Sequence, residues 1–237
     1  QRLMKKILFI LLLLGNLCYG QAITITVGST ISSCPAGCCV LGIDNDVATL
    51  TAGHLYLFVV ETTGQLPLTF SSGDGNPWDT LIQIGNATRN ITIYKFMPTT
   101  SSSNDLLSIK WATATGALTE SYDITGVPIG NNGDNAIVQV VSSSGSASAN
   151  PSITMAAVRN GNAVITFWLN DANPFSGTPE SGWTENYDDG CVEVPSGYYS
   201  MQKIGGSDNT PTVTSGASTW IGLAIELRGG RRITIAN

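Results

Sequence analysis

Apolar and polar residues alternate with the two-residue period of β-strands over much of this 237-residue chain. In residues 219–227, every second position is Ile or Leu, and the intervening positions carry Trp, Gly, Ala and Glu. This pattern, with its β-branched and aromatic residues, predicts eleven strands, which cover residues 22–27, 55–61, 80–84, 91–97, 106–112, 118–124, 136–142, 153–158, 163–169, 198–202 and 219–227. Outside the first 20 residues no stretch has the 3.6-residue period of an amphipathic helix, so we expect almost no helix.

Turn residues separate the predicted strands and bear on the number of domains. Asn160 and Gly161 lie between two apolar runs and predict a tight hairpin, because both residues tolerate positive φ. Residues 142–150 contain only Ser, Gly, Ala and Asn, and form either a surface loop or a linker between two domains. Because too few strands lie on either side for two sandwiches, we expect one domain over residues 21–237. About ten antiparallel strands in one domain require two stacked sheets.

The first 20 residues have the features of an export signal. Met4, Lys5 and Lys6 form a short basic region, residues 7–14 are an unbroken apolar run, and Gly20 is a small residue suited to cleavage. That run is too short to span a bilayer, which needs about 20 residues. We therefore expect a leader over residues 1–20, a secreted or cell-surface protein, and no transmembrane anchor after cleavage.

Charge is scarce and mostly negative. Charged residues make up 12% of the chain and the formal net charge is −6, so Ser, Thr, Asn and Gly form much of the polar surface. Removing the leader makes the balance more acidic, which argues against nucleic acid as a partner. The basic residues Arg228, Arg231 and Arg232 are interpreted as a solvated end of the chain.

Five short motifs follow one another along the chain: LYLFVVE at 55–61, DGNPW at 74–78, ITIYKF at 91–96, SGWT at 181–184 and WIGLAIEL at 220–227. Their order resembles jelly-roll domains of secreted bacterial surface proteins and of phage tail or capsid-surface proteins. The resemblance covers roughly residues 55–227 and implies an all-β, antiparallel two-sheet β-sandwich of jelly-roll type. Jelly rolls host lectins, capsid subunits and enzymes, so the fold does not decide among these functions.

Four cysteines remain after the leader, an even number that favours disulfides in an exported protein: Cys34, Cys38, Cys39 and Cys191. Adjacent cysteines pair with each other only under strain, so Cys38 and Cys39 are expected in different bonds. One bond then lies within residues 34–39 and the other joins Cys38 or Cys39 to Cys191. The alternative, a thiolate metal site with His54, has a spacing that matches no zinc motif.

Catalytic residues are few. His54 is the only histidine, no Gly-x-Ser-x-Gly element is present, and a structural hydrogen bond at the start of a strand is the simpler role for His54. Glu61, Glu120, Glu193 and Glu226 lie in or beside strands, and a facing pair would suit glycoside hydrolysis. Of these, Glu226 is expected to face solvent.

An acidic stretch with aromatic residues, residues 171–193, is the most distinctive chemistry in the chain, and it contains no Lys or Arg. Aromatic rings beside acids and amides suit sugars, whose C–H faces stack on rings while their hydroxyls form hydrogen bonds. The predicted ligand-binding residues are Trp183, Tyr187, Asn186, Asp188 and, from elsewhere in the chain, Trp78. A solvated acidic loop with one aromatic residue packed on the sandwich is the alternative interpretation.

The same stretch offers oxygen ligands for calcium, the one metal considered, although no cofactor is required. The predicted ligands are Asp171, Asp188 and Asp189. Residues 44–46 and 74–76 are weaker candidates, because Asp and Asn clusters also form ordinary turns.

The leading hypothesis is a secreted, non-catalytic β-sandwich for binding or adhesion, with a glycan or cell-surface ligand. The alternative is a virion or cell-surface structural protein whose partners are copies of itself or other coat and surface proteins. Such assembly requires extended edge strands and a large apolar patch, whereas a lectin requires a concave site with exposed Trp or Tyr. A carboxylate-based glycoside hydrolase is the third hypothesis, and it requires an acid pair across a cleft.

Overall fold

The computed structural model describes residues 22–32, 40–64, 66–67, 69–170, 177–188 and 197–229. In this part of the chain, antiparallel β-sheets form most of the structure, so the predicted all-β sandwich is confirmed. The strands are β1 (Thr24–Ser32), β2 (Val40–Leu50), β3 (Leu55–Thr63), β4 (Thr69–Ser72), β5 (Asp79–Gly85), β6 (Arg89–Phe96), β7 (Ser102–Thr115), β8 (Ala117–Thr125), β9 (Ile137–Ser148), β10 (Ala163–Asn170), β11 (Thr178–Pro179), β12 (Thr184–Asp188), β13 (Gly197–Ile204), β14 (Val213–Thr214) and β15 (Ser218–Leu227). A 3₁₀ helix, Asn131–Ala136, lies between β8 and β9. No helix among these residues is long and apolar enough to span a membrane.

The first eight strands form two sheets. Five of them make a sheet in the order β1-β8-β3-β6-β5, and the other three make a sheet in the order β2-β7-β4. The pairings of the first strand with the eighth, the second with the seventh and the third with the sixth are those of a jelly roll. We refer to β1 through β8 as repeat 1.

The strands from β9 onward repeat the same order. Their five-stranded sheet runs β9-β15-β10-β13-β12, so every strand has the position of its counterpart in β1-β8-β3-β6-β5. A second layer is present but short, because it consists of the β11–β14 pair and an isolated bridge between Ser152 and Thr212. We refer to β9 through β15 as repeat 2, and to the two five-stranded sheets as the inner sheets.

The same kind of turn precedes β3 and β10, and it aligns the residues of repeat 1 with those of repeat 2. The amide of His54 donates to the carbonyl of Thr51 just before β3, and the amide of Asn162 donates to the carbonyl of Arg159 just before β10. Glycine occupies the third position of both turns, Gly53 with φ +79° and Gly161 with φ +91°, because L side chains rarely adopt this backbone conformation.

The strand pairs extend this equivalence along the inner sheets. Leu55 pairs with Ile124 as Ala163 pairs with Leu227, and the following pairs stay in step. The edge strands β5 and β12 each contain a bulge two residues after their first residue. The residue just before each of these strands is a tryptophan, Trp78 in repeat 1 and Trp183 in repeat 2. The described residues therefore form two tandem repeats of one jelly-roll strand arrangement.

Three apolar cores hold the layers together. The central core lies between the two inner sheets and includes Leu57, Val59, Ile93, Phe167, Leu223 and Ile225. A second core joins the other face of the repeat 1 inner sheet to the β2-β7-β4 sheet, through Phe58, Phe96, Leu107 and Ile109. A third core covers the other face of the repeat 2 inner sheet, with Ile153, Trp168, Trp183, Trp220 and Val213. Because both repeats contribute to the central core, they form one packed unit.

Several strand predictions need correction. Residues 142–148, interpreted as a loop or linker, lie in β9 and pair with β15, so ladder hydrogen bonds override the turn preference of Ser and Gly. Residues 153–158 are not a strand but an irregular segment whose apolar side chains cover the third core. Strands β2, β4 and β12 were not predicted, because Asp, Asn and Ser interrupt their apolar pattern.

Candidate functional site

Trp78 and Trp183, two of the predicted ligand-binding residues, occupy equivalent positions and make equivalent bonds. The indole N–H of Trp78 donates to Oδ2 of Asp105, and that of Trp183 donates to Oδ2 of Asp208, both over 3.0 Å. Trp183 is only 7% exposed, and Trp78 packs against the second core. The ring of Trp183 is therefore packed inside the protein, whereas that of Trp78 is half-buried.

Asp105 organises the loop before β5. Its carboxylate is fully buried and accepts hydrogen bonds from the Ser72 hydroxyl at 2.6 Å, the Asn76 amide group at 3.0 Å and the Asp74 backbone N–H at 3.3 Å, as well as from Trp78. Burial works to raise the pKa of Asp105, but these bonds outweigh it and hold the pKa below its ordinary value. The weaker calcium candidate at residues 74–76 is thus a turn held by a neighbouring carboxylate.

Asp208 is the corresponding hydrogen-bond acceptor in repeat 2. Besides Trp183, the Lys203 ammonium donates to it at 3.1 Å and the Thr210 backbone N–H at 3.0 Å. Burial tends to raise the pKa of Asp208, but the hydrogen bonds from Trp183, Thr210, Lys203 and Glu180 lower it to about 2.

Three other predicted ligand-binding residues lie together on the edge strand β12. Asn186 occupies the bulge, and its side-chain N–H reaches the Tyr122 hydroxyl at 3.5 Å. The half-buried ring of Tyr187 packs against the central core, 6.1 Å from the ring of Tyr198. Asp188 ends the strand and is also half-buried. This edge brings the predicted residues together without an exposed aromatic platform.

The remaining predicted site residues cannot be placed. Asp171, Asp189 and the cysteines Cys34, Cys38, Cys39 and Cys191 lie outside the described residues, as does Glu193. Within the described ranges, no group of three or more His, Cys, Asp or Glu side chains could hold a metal ion. The calcium and disulfide assignments therefore stay predictions.

A buried polar cluster spans the two inner sheets beside β12. Glu120 on β8 is fully buried and accepts hydrogen bonds from the Tyr198 hydroxyl at 2.5 Å and the Ser200 hydroxyl at 3.2 Å, both on β13. Tyr122 also hydrogen-bonds Glu120. Burial raises the pKa of Glu120 despite these hydrogen bonds, so the carboxyl is easier to protonate than an exposed one. The Glu120 cluster, as we call these residues with Asn186, links repeat 1 to repeat 2.

The other carboxylates considered for catalysis are buried in separate places. Glu61 forms a buried ion pair with Arg89 at 2.9 Å. Glu226, expected to face solvent, is fully buried, because the Gln139 and Asn162 side chains and the Arg159 backbone N–H all donate to it. These two carboxylates are thus engaged in an ion pair and in hydrogen bonds inside the protein, in two separate places.

His54 has the structural hydrogen bond that the sequence analysis predicted. Its Nδ1 lies 2.8 Å from Oδ1 of Asp123, near the end of β8. The equivalent residues of repeat 2 are Asn162 and Glu226, which are joined by a hydrogen bond from the Asn162 amide group. An imidazole is thus not needed for this contact. In both repeats, a side chain at the end of the turn hydrogen-bonds a carboxylate on the last strand.

The free sheet edges are the features that sequence reasoning missed. Strands β1 and β9 are equivalent, and each pairs along one side only among the described strands, with β8 and β15 respectively. Neither contains a charged residue or a proline, whereas the opposite edges carry Asp79 on β5 and Glu185 and Asp188 on β12. Val138, Val140, Ser142 and Ser144 stand at every second position, and this alternation was the available signal in the sequence.

Comparison with models of protein families finds no match to this chain, and a search of curated proteins finds no match either.

Proposed function

We propose that this protein is an exported, non-catalytic structural component of a cell or virion surface, and that it associates with further copies of itself through the free edges of its sheets. The observation that supports this proposal best is strand β9. It is twelve residues long, it is hydrogen-bonded to β15 along one side, and it has no charge and no proline. Soluble proteins usually protect such an edge with lysine, proline, bulges or a covering segment. In β9 the register with β15 is irregular near both ends, between Ile137 and Gln139 and between Gly145 and Ser148, so the regular edge is the stretch from Gln139 to Gly145.

The side chains of β9 suit edge pairing. Val138, Ser142, Ser144 and Ser146 are exposed along the strand, and none carries a charge that would repel a second copy. Two copies of such a strand can pair antiparallel around a two-fold axis, since one edge then meets the same edge of the partner. Of the two features expected of an assembling protein, an extended edge strand and a large apolar patch, the proposal rests on the first alone.

The aromatic residues favour this function over sugar binding. Trp183 is 7% exposed and Trp78 is half-buried against the second core, and the N–H groups of both donate to aspartates, so neither ring is fully open for stacking on a sugar. A lectin site needs an open ring face at the surface. The buried positions of Glu61, Glu120 and Glu226 likewise support a role without catalysis.

The test is the association state of the purified protein by analytical ultracentrifugation over a range of concentrations. We expect association that weakens strongly in Ser144→Lys/Ser146→Lys, because like charges on an edge strand oppose pairing. The control is Thr178→Lys/Thr184→Lys, which adds the same charge to exposed positions of repeat 2 away from β9. A protein that stays monomeric throughout, or that associates equally in both variants, contradicts the proposal.

Binding of a glycan is the second candidate, because Asn186, Tyr187 and Asp188 lie side by side on the β12 edge. A glycan array with and without calcium tests it, using Tyr187→Ala as the variant and Trp183→Ala as a control that perturbs packing. Binding lost only in Tyr187→Ala supports a glycan site at β12, and no binding to any glycan excludes it.

A further inference from the structure

The Glu120 cluster breaks the symmetry between the repeats. The strand registers make Glu120 on β8 equivalent to Leu223 on β15, since these residues pair with Val59 and Phe167 at matching positions. They likewise make Tyr198 equivalent to Ile91. A buried acid and its donor in one half of the interface thus correspond to two apolar residues in the other.

The remaining members of the cluster follow the same rule. Tyr122, Ser200 and Asn186 are polar, and their counterparts, given by the same registers, are Ile225, Ile93 and Leu81. All three counterparts belong to the central core or pack against it. The inner faces of the two repeats therefore have the same shape of sheet but different polar chemistry.

This difference affects which faces can pair. Glu120 is fully buried and needs donors, and both Tyr198 and Ser200 come from repeat 2. If the inner face of repeat 1 packed on another copy of itself, the residues in those two positions would be Ile91 and Ile93, which cannot donate. Glu120 would then keep only its hydrogen bond with Tyr122 of its own repeat, and the loss of two donors to a buried carboxyl is unfavourable.

The reverse pairing fails for a matching reason. If the inner face of repeat 2 packed on another repeat 2, the Tyr198 and Ser200 hydroxyls would lie against Leu223, which cannot accept a hydrogen bond. Only the pairing of repeat 1 with repeat 2 satisfies all the polar groups of the cluster. Specificity of this kind needs a feature that penalises the wrong partner as well as one that favours the right partner.

We propose that the Glu120 cluster is a specificity device that makes the inner face of repeat 1 accept repeat 2 and reject the same face of a second copy. Without it, two chains could exchange repeats, with repeat 1 on repeat 1 and repeat 2 on repeat 2. The device goes beyond the edge association proposed above, because it concerns the covered faces of the sheets. It disfavours only the packing of like repeats on each other, since repeat 1 of one copy on repeat 2 of another keeps every hydrogen bond of the cluster.

The test removes the buried acid and its closest donor and changes the volume of the core little, while Tyr122, Ser200 and Asn186 stay in place. In Glu120→Leu/Tyr198→Phe, the first change installs the residue found at the equivalent position and the second removes only a hydroxyl. Ser200 retains its hydrogen bond with Tyr122. Glu120→Gln is the control, because an amide of the same shape still accepts hydrogen bonds from the two hydroxyls.

All proteins carry Ser144→Lys/Ser146→Lys so that edge pairing adds nothing to the mass, and this background serves whether or not β9 pairs. Each is unfolded in guanidinium, refolded at a low and a high protein concentration, and measured by light scattering after size-exclusion chromatography. We expect monomers for the parent and for Glu120→Gln. We expect the oligomer-to-monomer ratio of the double variant to rise about tenfold or more at the high concentration.

Two results overturn the proposal: a double variant that refolds to monomer as faithfully as its parent, and a parent that exchanges repeats as readily as the double variant. If the double variant does not refold, Glu120→Leu alone gives the same comparison, since it already makes the repeat 1 face apolar at this position. Oligomers in Glu120→Leu support the device, and monomers at both concentrations overturn it.

Discussion

Repeat 1 and repeat 2 each have an inner sheet with the same strand order, but they differ in the layer that covers its outer face. In repeat 1 that layer is a three-stranded sheet in which β2 and β7 pair along most of their length. In the described part of repeat 2 it consists of a pair of two-residue strands, one bridge and the irregular segment of residues 153–158. The shared features are thus those that the jelly roll itself requires, and the differences indicate where each repeat has a separate task.

Large aromatic side chains fill the third core, where the described covering layer of repeat 2 is short. Trp168, Trp183 and Trp220 all belong to it, and Trp168 is fully buried. The backbone makes room for these rings, because a Cβ on Gly222 would lie 2.7 Å from the ring of Trp168. In repeat 2, large side chains rather than a paired sheet cover much of the outer face of the inner sheet.

The largest expected effect tests how much the large rings of the third core stabilise the protein. Trp168→Ala should cost about 3–5 kcal/mol of unfolding free energy, since it empties the middle of the third core. The equivalent residue in repeat 1 is Val60, also fully buried, and Val60→Ala should cost only about 2 kcal/mol because fewer carbon atoms are removed. Guanidinium unfolding followed by circular dichroism measures both, and equal losses contradict the argument.

The two tryptophan–aspartate pairs offer a sharper comparison. Trp78→Phe and Trp183→Phe each keep a ring and remove the N–H that the aspartate accepts. Trp78→Phe should cost about 1–3 kcal/mol, because Asp105 is fully buried. Trp183→Phe should cost less, because the Asp208 side chain is 21% exposed and water can replace the lost donor. The same unfolding measurements test this order, and a larger loss for Trp183→Phe would be evidence against it.

A third prediction uses the opposite pKa shifts of Glu120 and Asp208. The pKa of Glu120 is raised by burial, so above the ordinary carboxyl value of 4.5 the unfolded state loses its proton first. Wild type should therefore lose stability relative to Glu120→Gln as the pH rises from 4.5 toward the folded-state pKa. The change is on the order of 1 kcal/mol for each pH unit in that window.

Asp208 should behave in the opposite way. Its pKa is lowered to about 2, so its contribution is present above 3.8, the unfolded value, and is lost as the pH falls toward 2. Wild type should exceed Asp208→Asn in stability at neutral pH, and the gap should close on acidification. Unfolding free energies at a series of pH values check both trends, and parallel curves for the two variants would refute them.

The sequence was sufficient for the fold class and most inner strands, because these alternate clearly and are rich in β-branched residues. It was insufficient for the repeat, since the equivalent residues share burial and position in the strand pairing rather than identity. Leu55 and Ala163 are one example, and Tyr56 and Val164 are another. Equivalence of this kind becomes visible only in the pairing registers.

The candidate site was harder to predict for a related reason. Trp183 and Asp188 lie in a stretch that looks solvated by composition, but the partner of Trp183, Asp208, is 25 residues away in the sequence. Glu120 and Tyr198 are separated by 78 residues. Hydrophobic patterning cannot show which buried acid meets which donor across two sheets, because that depends on how the sheets face each other.

The smallest expected effect concerns His54, where the repeats differ in chemistry and agree in geometry. Asn162 holds its turn to Glu226 through an amide N–H, as His54 does to Asp123 through its ring. His54→Asn should therefore change the unfolding free energy by no more than about 0.5 kcal/mol. His54→Leu removes the donor and should cost about 1 kcal/mol. If Asn and Leu were equally harmful at this position, the imidazole itself would be required, and the turn of repeat 1 would have a task that repeat 2 does not share.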